Sequence, residues 1–301
     1  MATASALKTS LAPVTPEFLR SLCEWAVVDE ARVAEEGEWM RRGGLLVAEE
    51  ALWPLATVKA RSLHVTPSKG CWDRVEQESW PALRLVIIHG GDAGMHPHYF
   101  MEFLRKWPAV TIWLQNLMEE PPVELAERMR VVPLFEQDLR WRISEATRAG
   151  ADEVTTYIGG ERSVEIFFPF CSYTNVMRPV WMEKGRLLRG RREGFEFVPY
   201  KLPAEEYEAA LADARAVVCP PGNGVDTHRV WETLYKGGWA IVQDSPHTRL
   251  LLAAWPDLPL LAIKDPEDLV GLEIPAAPVR LQPILFRWWW AAAVEEVVKG
   301  A

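Results

Sequence analysis

The chain has 301 residues, 49% hydrophobic and 25% charged, with a formal net charge of −9 and a pI near 5.3. This is the composition of a globular protein long enough for two ordinary domains, and its acidic balance excludes bulk attraction to a nucleic-acid backbone. No window approaches the ~20 apolar residues of a spanning helix and the N-terminal "MATASALKTSLAPVTPEF" lacks the apolar core of a signal peptide. The expectation is a cytoplasmic protein with no transmembrane segment, with attachment to a membrane surface left open.

Residues 1–80 are the least patterned. "TPEFLRSLCEWAVVDEARVAEEGEWMRR" predicts a helix, with Thr15 as N-cap and Pro16 in its first turn, and "LWPLATVKARSLHVT" alternates enough to hold a strand. The pattern then clears. "LRLVIIHGGDAG" predicts a strand ending in a glycine-bearing loop, "HYFMEFLRKWP" a short amphipathic helix, "AVTIWLQN" a second strand, "VELAERM" a helix and "RVVPLFEQD" a third strand.

A second series begins near Ser163. Strands are predicted in "SVEIFFPF", "FEFVPY", "RAVVCPPGNG", "WAIVQDSP" and "LPLLAIKD". Helices are predicted in "YTNVMRPVWMEKGRLL", "PAEEYEAALADA", "DTHRVWETLYKGG", "HTRLLLAAWPD" and from "PEDLVGL" onward. Strands alternating with helices predict parallel sheets covered on both faces, so the fold class is α/β with two Rossmann-like domains. The boundary falls in the polar, glycine-bearing "RAGADEVTTYIGGER", Arg148–Glu161. The four cysteines, Cys23, Cys71, Cys171 and Cys219, are far apart and lack zinc spacing, which predicts buried reduced thiols.

Chemistry-bearing residues crowd into "CPPGNGVDTHRVWETLYKGGWAIVQDSP", Cys219–Pro246. Ligands of open α/β sheets bind beyond the carboxyl ends of strands, where this loop begins. Gly222 and Gly224 suit a tight turn or a close approach, and Asp226 is the predicted N-cap of the next helix. Helical spacing puts Thr227, Val230, Trp231 and Leu234 on one packing face, with His228, Arg229 and Glu232 on the opposite side. A cation, an imidazole and a carboxylate near a helix start suit a phosphate and a ribose. The same spacing also permits an ordinary surface ion pair between Arg229 and Glu232.

"PPGNGVDTHRVWETLYKGGWAIVQDSP" followed by "DLPLLAIKD" resembles the C-terminal half of exostosin-like glycosyltransferases over Ala214–Leu269. That resemblance implies a GT-B fold, with two Rossmann-like domains whose parallel sheets face each other across a cleft. It divides the chain into an acceptor domain at 1–155, a nucleotide-sugar-binding domain at 156–280 and a closing helix at 281–301. It implies donor binding by Thr174, Asn175, Arg178, Asn223, Gly224, His228, Arg229 and Glu232, with Arg178 reaching the diphosphate. The sequence departs from the family at Gly238, Trp239 and Ala240, where a Gly-Cys-Ile-Pro-type stretch is frequent.

Transfer of a sugar with inversion needs a base for the acceptor hydroxyl. In "VIIHGGDAGMHPHYF", Asp92 is the first candidate and His96 or His98 the second; Asp92 could instead simply close a turn. Gln115 and Asn116 end another strand and suit either acceptor hydroxyls or a cap. His89, His96 and His98 have no Cys or Glu partner at a telling sequence spacing, so no metal and no cofactor is expected. The expected substrates are a nucleotide-diphosphate sugar, UDP-linked first and GDP-linked second, and a glycan or other hydroxyl acceptor. The rival expectation is a non-catalytic nucleotide- or glycan-binding protein of the same fold.

Overall fold

The structure is a computed structural model that describes residues 60–65, 69–88, 94–132, 162–169, 177–256 and 258–275, with the strand backbone at 25–27 and 45–46. It is an α/β protein with two all-parallel sheets. The sheets belong to two compact units, one within Val14–Leu134 and one within Phe135–Leu285.

The strands of the first unit are β1 (Trp25–Val27), β2 (Leu45–Leu46), β3 (Ser62–Val65), β4 (Leu85–Ile88), β5 (Thr111–Leu114) and β6 (Met129–Val131), in the spatial order β2-β1-β3-β4-β5-β6. Every residue of β4 and β5 is buried, as continuous apolar runs require when helices cover both faces. Helix α1 (Lys69–Gln77) buries Cys71, Trp72 and Val75. The Trp72 ring meets Phe100 and Phe103 edge-on at 4.8 and 5.1 Å. Those two residues belong to the 3₁₀ turn Pro97–Phe100 and to α2 (Met101–Lys106), which continues it. A second 3₁₀ turn, Val123–Arg128, leads into β6.

One expectation is corrected here. Trp25–Val27 lies inside the segment that predicts a helix, yet it forms β1, paired in parallel with β2 on one side and β3 on the other. Its aromatic and β-branched residues suit a strand, and pairing on both edges outweighs the helical spacing of the flanks.

The second unit contains β7 (Val164–Phe168), α3 (Arg178–Leu188), β8 (Phe195–Phe197), α4 (Ala204–Asp213), β9 (Ala214–Cys219), α5 (His228–Tyr235), β10 (Trp239–Gln243), α6 (Pro246–Ala254) and β11 (Leu260–Ile263). The 3₁₀ turn Pro266–Val270 follows, closed by an Asp265/Asp268 capping box. Its strand order is β11-β10-β9-β7-β8. Alternate residues of the central strands, among them Ile166, Phe168, Ala216, Val218 and Ile241, share one core with Trp181 and Met182 of α3. The side chains between them, Phe167 and Val217, are also buried, so the sheet is covered on both faces.

Cys71 and Cys219 are buried thiols, in line with the cysteine spacing. Among the described residues, no helix is long and apolar enough to cross a membrane.

Candidate functional site

From β7 the chain steps outward to β8, then crosses back over β7 to β9 and continues to β10 and β11. The connections therefore diverge between β7 and β9, which are paired with Phe167 opposite Val217. Such a topological switch point is where open α/β sheets bind ligands, beyond the carboxyl ends of the two strands. Helix α3 starts after β7 and α5 after β9, so both helix N-termini, with their N–H donors and partial positive charge, serve this edge.

Arg178 is the first residue of α3 and is half-buried. Its Nε donates to the carbonyl oxygen of Pro221 at 2.8 Å, tying α3 to the loop that leaves β9. The loop folds back through a bond from Gly222 N–H to the Gly224 carbonyl at 2.8 Å, with Asn223 exposed at its tip and Gly224 buried. A Cβ on Gly222 would stand 3.0 Å from a terminal guanidinium nitrogen of Arg178 and 3.4 Å from the Thr227 methyl. An alanine there would have to push the guanidinium or the loop aside by a few tenths of an ångström.

Helix α5 packs as its spacing predicts, with Val230, Trp231 and Leu234 all buried. Two local expectations are corrected. The N-cap is Thr227, not Asp226. Asp226 instead turns inward, where both carboxylate oxygens accept from the Trp231 indole N–H, at 2.9 and 3.0 Å. A buried indole needs an acceptor, and Asp226 supplies it. His247, in the first turn of α6, places Nε2 3.5 Å from the same carboxylate, and both side chains are only 2% exposed.

The second correction concerns Arg229 and Glu232, whose face is not left open. Tyr207 of α4 donates its hydroxyl to Glu232 Oε2 at 2.7 Å and accepts from Arg229 Nε at 3.3 Å. Burial pushes the Tyr207 phenol well above its ordinary pKa, so it stays a neutral donor. The three groups lock α4 to α5. Arg178, Asn223, Gly224 and His228 thus lie on the loop and helix starts at the switch point, while Arg229 and Glu232 serve the contact between helices. Thr174, Asn175 and Asp92 lie outside the described residues.

In the first unit, His96 Nδ1 lies 2.9 Å from Glu119 Oε1. The contact depends on a parallel bridge between Met95 and Leu117, in which Met95 N–H donates to Asn116 O and Met118 N–H to Met95 O, both at 2.8 Å. Gln115 and Asn116 are buried in this edge, and Asn116 takes a left-handed φ of 53° that turns the chain out of β5. Local spacing pointed to neither Glu119 nor Tyr207, because each reaches its partner only through tertiary structure.

A groove of about 410 Å³ lined by Glu165, Arg192 and residues 270–274 opens at the opposite, amino-terminal edge of the second sheet. There Arg192 donates to the Leu269 and Leu272 carbonyls and pairs with Glu165. The groove lies away from the switch point. The fold is thus that of an α/β protein with two Rossmann-like parallel sheets. No protein-family model matches the chain, and no curated protein matches it.

Proposed function

We propose that this protein is a glycosyltransferase of the GT-B type that moves a sugar from a nucleotide-diphosphate donor to a hydroxyl of a glycan or other acceptor, with inversion. The observation that carries the donor assignment is the Arg178–Pro221 bond across the switch point. It holds a guanidinium over Gly222 at the edge served by the N-termini of α3 and α5. A leaving diphosphate needs this kind of preorganised positive charge, supplied by side chains and helix ends. In this reading Arg178 and the Gly222–Gly224 loop hold the diphosphate, and the family resemblance adds Thr174 and Asn175 to the donor-binding set. Asn223 and His228 flank the ligand. Arg229 and Glu232 act through Tyr207 by fixing the start of α5.

The acceptor side belongs to the first unit, with Asp92 as the base and His96 as the second candidate. In this reading Glu119 fixes the orientation of the His96 ring through Nδ1.

The test is a release assay for nucleoside diphosphate across UDP- and GDP-sugars, paired with calorimetry on UDP and GDP, for the wild type and for Arg178→Ala. Release by the wild type and a roughly tenfold or greater loss of nucleotide affinity in the variant are expected. Binding without release from any donor would favour a non-catalytic nucleotide-binding protein. Equal affinity in both proteins would remove Arg178 from the site.

A further inference from the structure

We infer that His96, His98 and Glu119 form a binding site for a divalent transition-metal ion. One donor atom from each of the three side chains lies within 4.8 Å of the other two. Among the described residues this is the group of imidazoles and carboxylates so arranged. The set of two imidazoles and one carboxylate suits Zn²⁺, which accepts nitrogen and oxygen ligands at ~2.0–2.2 Å.

The backbone brings the three donors together. Pro97 confines His96 to an extended conformation (φ −107°, ψ 130°) and opens the 3₁₀ turn that carries His98. Residues two apart do not face each other within a helix. The change from extended to helical at Pro97 removes that obstacle, and the two rings stand with centroids 5.5 Å apart. The Met95–Leu117 bridge carries Glu119 to them from 23 residues away in sequence. The bridge is braced where Met118 packs over Gly94, since a Cβ there would fall 2.4 Å from Met118 Cγ.

Tyr99 forms an aromatic wall behind the donors, 4.2 Å from the His98 ring and 5.8 Å from His96, and the Trp72 indole N–H anchors its carbonyl at 3.1 Å. Donors of a tetrahedral site stand ~3.3 Å apart. Rotation of exposed side chains closes the remaining distance, since His96 is 36% and Glu119 59% exposed. Three protein ligands leave a fourth position open to water or to another oxygen ligand, as in zinc sites that exchange ligands. A metal here would occupy His96 and leave Asp92 as the base of the proposed transfer. The inference shares His96 with the second candidate base of the sugar-transfer reading but uses nothing of its donor site at Arg178 and Gly222–Gly224.

Tag-free full-length protein, stripped with chelator and dialysed, tests the site by calorimetric titration with ZnCl₂ and by visible absorption with CoCl₂. One Zn²⁺ per chain is expected. His96→Ala and His98→Ala should each abolish this binding, and Glu119→Gln should weaken it by roughly tenfold or more. Glu124→Gln, at an exposed acid on the neighbouring turn, should leave it unchanged. Co²⁺ should give the intense visible bands of a four- or five-coordinate ion in the wild type and lose them in His98→Ala. All the altered side chains are exposed or half-exposed, so circular dichroism should show the wild-type fold in each variant. A wild type that takes up no Zn²⁺, or that binds it no better than the three ligand variants, overturns the site.

Discussion

Arg178 and Pro221 are 43 residues apart, yet the Arg178 Nε–H bond to the Pro221 carbonyl joins the start of α3 to the loop that leaves β9 at the switch point. A hydrogen bond from a charged donor contributes about 1.5–3 kcal/mol, and breaking it leaves a half-buried carbonyl unmatched. Arg178→Ala should therefore lower the urea midpoint by an amount corresponding to roughly 1–3 kcal/mol. Arg178→Lys should recover little of this, because an ammonium cannot reproduce the guanidinium geometry. Equilibrium unfolding of the three proteins checks both outcomes.

Gly222 and Arg178 should be energetically coupled. A methyl group on Gly222 meets the guanidinium at 3.0 Å, so Gly222→Ala must displace Arg178 or the loop. We expect about 1–2 kcal/mol of destabilisation in the wild-type background and much less when Arg178 is already alanine. The double-mutant cycle should return a coupling of roughly 0.5–2 kcal/mol. A coupling near zero would mean that the two residues do not meet in solution.

The β–α alternation was legible because the central strands are short apolar runs set off by nearby Gly, Pro or polar residues. "LVII", "TIWL", "VEIFF", "ARAVVC" and "WAIVQ" all lie in β-strands. The packing face of α5 was legible as well, from the spacing of Val230, Trp231 and Leu234. Strand β1 was not, since three residues carry too little periodicity and sheet pairing decides their conformation. Helix α1 was missed although Cys71, Trp72 and Val75 have helical spacing, because Gly70 and the polar residues around them dilute the signal.

The site was legible only where it is local. The Gly222–Gly224 loop and the start of α5 are contiguous in sequence, whereas Tyr207 is 25 residues from Glu232 and Glu119 is 23 from His96. Asp226 was misassigned for a related reason. Its preference for N-caps is a local rule, and the buried Trp231 indole competes for the same carboxylate.

Tyr207 gives the protein a pH dependence on the alkaline side. Burial raises the folded-state pKa of its phenol above the ordinary value of about 10. The unfolded chain therefore loses this proton first as pH rises. The stability that the neutral phenol contributes is complete below pH ~10 and falls above it, at a rate approaching 1.4 kcal/mol per pH unit. Tyr207→Phe should remove this share of the decline. It should also cost roughly 1–2 kcal/mol at neutral pH through the lost bonds to Glu232 and Arg229. Urea midpoints of both proteins between pH 8 and about 11 test the point, and parallel curves would show that Tyr207 does not titrate as a buried group.

Trp231 and Asp226 should be the more severe test of the second unit. The indole is fully buried and donates to both oxygens of a buried carboxylate. Trp231→Phe keeps much of the apolar volume but removes the indole donor from Asp226. The expected loss is about 2–4 kcal/mol, most of it the cost of a buried carboxylate that has lost a donor rather than of the cavity. Adding Asp226→Asn should return part of the loss, because an amide carries no charge to desolvate. If the single and double variants unfold at the same denaturant concentration, the carboxylate is not the origin of the cost and the cavity is.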